Sequence, residues 1–190
     1  MPFKGSNKIY NTENKNRVNL QKASDIVAFL DGVDKNLQNV KNIIIDDCSY
    51  VMRYEFFDRI REKGYEKFNQ IGDSFRMVIQ KCTSLRDDLN VFMMMHSEPK
   101  ESDGSIIGYK PSTIGKLIDD KFNPVELVST VLYCCPQYNE KGLPIFGFYT
   151  KRMKVDGIEI PAKSPDGMFD EEFIPNDLSI VINKMNEFYN

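Results

Sequence analysis

The chain has 190 residues, 41% of them hydrophobic and 28% charged, with a formal net charge of −3. That length suits one domain, 1–190, with a sizeable core, and the balance is that of an ordinary globular protein. It excludes a globally basic nucleic-acid binder, so any such contact must come from a local patch.

Residues 1–20 are polar, with Lys4, Lys8, Lys15 and Arg17 among asparagines, and read as loop. Ile26, Phe29, Leu30, Val33 and Leu37 then keep helical spacing, with Ser24 placed to cap the start. "NIIIDD", 42–47, reads as a buried strand that ends in two carboxylates. A helix is expected from about Tyr50 to Lys63, closed by Gly64. A longer one places Phe68, Ile71, Phe75, Val78, Cys82, Leu85 and Leu89 on one face. "NVFMMMHS", 90–97, is a second apolar run and a second buried strand. Residues 98–113, rich in Pro, Gly, Ser and charge, read as an exposed loop. "VSTVLYC" and "IFGFYTKR" are two more strands, and "NEKGLP" between them suits a hairpin. "GIEIPAKSPDGMF" reads as irregular. A last helix starts near Pro175 and buries Leu178, Val181, Met185 and Phe188.

Cys48, Cys82, Cys134 and Cys135 form no C-x-x-C and read as reduced core thiols. His96 is the single histidine, so a structural zinc site is not expected. No apolar run of about 18 residues and no signal-peptide pattern is present, so the expected setting is cytoplasmic, with no membrane.

Apolar strands alternating with amphipathic helices imply a mainly parallel sheet covered on both sides. Ligands bind such sheets beyond the carboxyl ends of the strands. Asp46 and Asp47 end one strand there, and His96 and Ser97 end another. One reading of I-I-I-D-D is a core strand whose aspartate caps the next helix. The other is a Walker B strand, in which Asp46 holds a magnesium-bound water and Asp47 orients or deprotonates the attacking water. The partner motif, G-x-x-x-x-G-K-[ST], is not in the sequence. The nearest approach, "KPSTIGKL" at 110–117, has Lys110 for the first glycine and Leu117 for Ser/Thr, and reads as a loop-to-helix entry.

The chain resembles phage RecA-like P-loop ATPases of the AAA-domain nucleotide-binding and single-strand annealing type. The resemblance is carried by "PFKG" at 2–5, "NIIIDDCSYVM", "VFMMMHSE", "TIGKLIDDK" at 113–121, "FYTKRM" at 148–153, "AKSPDGMF" at 162–169 and the closing "IPNDL…VINKMNEFY", in that order. It implies an α/β, RecA-like core with a mainly parallel sheet flanked by helices, N-terminally incomplete because the Walker A portion is absent. The expected explanation is a fragment, one half of a split protein, or a shortened paralogue that only binds.

The resemblance further implies ATP binding and hydrolysis with Mg2+ in phage DNA recombination or single-strand annealing, in the host cytoplasm. His96 or Ser97 would sense the phosphate, and Lys151 or Arg152 would act on a neighbouring subunit's nucleotide. The implied partners are a homo-oligomer, or a partner chain that supplies the P-loop. Single-stranded DNA is a candidate ligand for Lys100, Tyr109 and Lys110 in one segment and Lys154 and Lys163 in another, although Glu98, Glu101, Asp103, Asp156 and Glu159 alternate with them. Alone, the chain is expected to be inactive. The alternative is a non-catalytic interaction protein that keeps the sheet.

Overall fold

The structure is a computed structural model and describes residues 17–115, 119 and 123–189. The segment 2–5, the lysines of the leading loop and Lys116 lie outside the described residues.

The helical periods fold largely as read. Helix α1 spans Ala23–Asn36, α2 spans Tyr50–Asp58 and α3 spans Glu66–Thr83. Ile26, Leu30 and Val33 meet Val51 and Met52 of α2 and Ile71, Phe75, Val78 and Ile79 of α3 in one cluster. An ion pair from Lys81 to Asp31, at 2.6 Å, ties α3 to α1. Ser24 lies inside α1, and Lys22 holds the N-cap position without a side-chain bond. Helix α2 stops well before Lys63 because a corner replaces its expected last turn. There the Lys67 ammonium accepts no water-facing role: it donates to the Glu62 carbonyl at 2.7 Å and lies over the rings of Phe56 and Phe68. Gly64 follows at a φ of 89°, which a side chain would strain. Leu85 and Leu89 are buried as expected but lie beyond the end of α3.

Strands β1 (Asn42–Ile45) and β2 (Asn90–Met93) pair in parallel, Ile43 opposite Val91 and Ile45 opposite Met93. The α2–α3 excursion is the crossover that a parallel pair needs. Ile43, Ile45, Val91 and Met93 pack on the helices. On the other face Phe92 joins a second cluster with Met168, Phe169, Ile174 and Val181. Ile44 and Met94 on that face remain 57% and 53% exposed, so the two strands are not covered on both sides.

The rest of the chain is built differently. It contributes β3 (Ser97–Ser102), β4 (Ser105–Pro111), β5 (Tyr133–Tyr138), β6 (Pro144–Tyr149), β7 (Met153–Val155), β8 (Ile158–Ile160), β9 (Phe173–Pro175) and helix α4 (Leu178–Tyr189). They form a four-stranded sheet in the order β3-β4-β8-β7 and a three-stranded one in the order β5-β6-β9. The expected hairpin is present as β5–β6, with Tyr138 opposite Pro144, although β5 starts later than the run "VSTVLYC". Helix α4 buries Val181 and partly covers Leu178 and Met185, whereas Phe188 stays exposed.

This arrangement corrects the expected fold class. A RecA-like core would lay its strands side by side in one mainly parallel sheet flanked by helices. Here three small sheets share the strands, and beyond β1–β2 the only parallel contact among the described residues is the single pair Gly108–Glu159 between β4 and β8. The physical cause sits in two dipeptides. Asp103-Gly104 has φ values of 51° and 76°, and Asp156-Gly157 has 51° and 81°. Two successive positive φ values make the tight turn whose twist matches an antiparallel hairpin. The first folds the segment read as an exposed loop into β3–β4, and the second turns β7 into β8 within the segment read as irregular. Among the described residues no helix is long and apolar enough to cross a membrane.

Candidate functional site at the strand edge

The pairing of β1 and β2 continues past both strands. The Met94 N–H donates to the Ile45 carbonyl at 2.9 Å, and the Cys48 N–H donates to the Met94 carbonyl at 2.8 Å. Asp46 and Asp47 are therefore squeezed into a turn between two pinned residues. Asp47 takes a φ of 52°, a left-handed conformation that aspartate tolerates better than most side chains. Its carbonyl then accepts the Tyr50 N–H at 2.8 Å, which starts α2. Ser49 occupies the N-cap of α2, and its own side chain makes no capping bond.

This turn brings two of the expected residues together. His96 Nε2 lies 2.9 Å from Asp47 Oδ1, with the two side chains 66% and 39% exposed. Asp46 is exposed beside them, and no bond holds its carboxylate among the described residues. The Tyr50 ring stands edge-on to His96, 6.5 Å between centroids. Ser97 turns away: its hydroxyl lies 3.4 Å from the Tyr133 hydroxyl, whose ring stacks on Tyr109 at 5.7 Å. Burial pushes the Tyr133 phenol above its ordinary value.

Among the described residues no bond ties Lys151 or Arg152 to this edge. They follow the end of β6, and Arg152 is engaged by Glu159 of β8 at 2.5 Å. Nor do the candidate DNA contacts form one basic patch. Lys110 binds Glu98 at 3.1 Å and also Asp119, and these bonds, that to Asp119 foremost, hold its ammonium above its ordinary pKa. Lys100 and Lys154 lie on the two opposite outer strands, β3 and β7, of the four-stranded sheet. Tyr109 is occupied by its stack with Tyr133. Lys163 forms a backbone bridge with Val131.

A polar chain that the sequence did not announce runs behind the edge. Arg53, on α2, donates from Nη2 to the Ser112 hydroxyl at 2.9 Å. Ser112 passes its own proton to Glu98 at 2.9 Å, and its backbone N–H donates to the His96 carbonyl at 2.7 Å. Arg53 could have been suspected, since it falls one helical turn after Tyr50 on a helix that starts at the acidic turn. Ser112 and Glu98 carry no such signal, because the β3–β4 hairpin alone brings them there.

Magnesium prefers oxygen ligands and keeps several of its waters. An exposed, unengaged Asp46 with Asp47 next to it fits that preference. Among the described residues no group of three or more His, Cys, Asp or Glu could hold a metal ion, so any metal here would rely on water or on a ligand's oxygens. No protein-family model, curated protein or solved structure matches the chain.

Proposed function

We propose that this chain carries the acidic, magnesium-facing edge of an ATP-hydrolysing site that serves DNA recombination or strand annealing in the cytoplasm. The observation behind this reading is the turn that sets Asp46 and Asp47 beside His96 at the carboxyl ends of two parallel strands. Asp46 holds magnesium through water, Asp47 orients the attacking water, and His96 meets the terminal phosphate. The phosphate cradle comes from another segment or another chain, because the sequence holds no phosphate-loop motif. In an assembly, Lys151 is the freer of the two cations to reach a neighbour's nucleotide, since Arg152 is engaged by Glu159.

Manganese is the test, as a paramagnetic stand-in for magnesium. Added to the labelled chain with ATP, it should broaden the amides of Asp46–Cys48 and His96 first, and Asp46→Asn should abolish that selectivity. Broadening that is uniform over the acidic surface, or unchanged in Asp46→Asn, overturns the reading. Calorimetry of the isolated chain with Mg–ATP should find binding weaker than micromolar.

A second reading, an interaction protein without catalysis, is favoured by a separate feature. Tyr138, Leu143, Ile145 and Phe146 crowd the tip of β5–β6 and are all exposed. An apolar tip of this kind marks a contact surface. A chain that fails the manganese test but captures a partner through this tip would support it.

A further inference from the structure

We propose that Arg53 is an anion-binding residue, and that the anion is a phosphate group seated beside Tyr50 and His96. A guanidinium carries five N–H donors. Among the described residues this one makes a single hydrogen bond, from Nη2 to the Ser112 hydroxyl at 2.9 Å. Its Nε is buried with no partner. Four other arginines are treated differently: Arg59, Arg76, Arg86 and Arg152 each hold a carboxylate. Arg53 holds none among the described residues.

The surroundings explain why no carboxylate of the described residues fills this place. The nearest acid along the polar chain, Glu98, receives the Ser112 proton at 2.9 Å and the Lys110 ammonium at 3.1 Å. Lys110 is shared in turn with Asp119. These acids are already matched, and Arg53 reaches Glu98 only through a neutral hydroxyl.

The guanidinium is also held in place. It lies over the Tyr50 ring, 5.5 Å from the centroid. Ser112 cannot swing away, because its backbone N–H is committed to His96 at 2.7 Å. Its hydroxyl proton is committed to Glu98, so toward Arg53 it can only accept. A cation fixed in this way, with donors left over, suits an oxyanion that takes two parallel N–H bonds. His96, 66% exposed at its side chain, stands edge-on to the same Tyr50 ring, 6.5 Å between centroids, and can contribute one more donor. The choice of phosphate over carboxylate rests on the magnesium–nucleotide reading above. The anion site itself does not.

The experiment uses the isotope-labelled chain without metal, with inorganic pyrophosphate as probe and acetate as the carboxylate control. Pyrophosphate should shift the Arg53 Nε–Hε resonance and the amides of Tyr50, His96 and Ser112 in a saturable way. Arg53→Lys keeps the charge but loses the fork and should bind about tenfold more weakly. Arg53→Gln should abolish the shifts. Shifts that survive in Arg53→Gln, or their absence in the native chain at tens of millimolar, overturn the proposal. Acetate acting as strongly as pyrophosphate overturns the phosphate assignment. Should Arg53→Gln not fold, the native Arg53 resonance decides alone, by moving or by staying in place. If manganese misses Asp46 while pyrophosphate moves Arg53, the nucleotide reading falls and the anion site stands. The reverse result removes only the anion site.

Discussion

The stretch from α1 to β2 and the stretch from β3 to α4 solve the burial problem in different ways. The first wraps three helices on one face of a parallel pair and closes a cluster of twelve buried residues among those described. The second divides its strands between two small sheets and, among the described residues, has two clusters, of four and three buried residues. It also leaves Tyr138, Leu143, Ile145 and Phe146 in the open. The acidic turn lies at the seam, on the better-packed side, while the residues that brace His96 from behind come from the hairpin side. Such a site takes its position from the helical part and its support from the thinner part.

Phe75→Ala should have the largest effect. Phe75 is 1% exposed in the middle of the helical cluster. Its truncation should cost about 3–5 kcal/mol in chemical denaturation. Loss of protection in both halves would mean that the hairpin half depends on the helical one. Protection lost in the helical half alone would break the comparison, by showing two independent units.

Gly147→Ala tests the other side and should have the next largest effect. A Cβ at Gly147 would collide with the Phe173 ring and the Ile174 carbonyl oxygen on β9, so β6 and β9 must part. The expected cost is about 1–3 kcal/mol. Hydrogen exchange should show faster opening of β9 and α4, with α1–α3 unchanged. Equal acceleration everywhere would erase the distinction between the halves.

The thiols give the smallest and most local reading. Burial pushes the Cys48 thiol far up and the Cys82 thiol up to about 11, whereas Cys134 is exposed. A thiol whose folded pKa is raised favours the fold fully below its ordinary value near 9, and that contribution is lost as pH rises through about 11. Stability should therefore decline over that window, and less so in Cys82→Ala. Alkylation at neutral pH, followed by mass spectrometry, should mark Cys134 first and reach Cys48 only through unfolding. Early labelling of Cys48 would show that the helical half breathes more than its packing suggests.

The helical half was the more legible in the sequence, and for a physical reason. Ile26, Leu30 and Val33, or Ile71, Phe75 and Val78, repeat at a local spacing that packing then obeys. The apolar runs of β1 and β2 also read correctly as strands, and their polar ends, Asp47 and His96, do meet. What the runs could not convey was how far the sheet extends, since strand pairing is decided by residues distant in sequence. The alternation of apolar strands with amphipathic helices extended a parallel pair into a mainly parallel sheet, and the resemblance implied the same. The counter-signal was present in Asp103-Gly104 and Asp156-Gly157, each flanked by segments able to pair as a hairpin. Arg53 was visible only as a helix residue, because its partner Ser112 arrives through that same hairpin.

One contact in the four-stranded sheet also bears on how the molecule assembles in time. Hairpins β3–β4 and β7–β8 each close across a tight turn, an event of about 1–10 μs. The sheet they share exists only once Gly108 meets Glu159, where the missing side chain lets the two backbones approach. That meeting joins segments far apart along the chain, and its rate is limited by the search that closes so long a loop. Both hairpins can thus be complete while their common sheet is not. During that interval the β4 edge is open to any strand that arrives before β8 does.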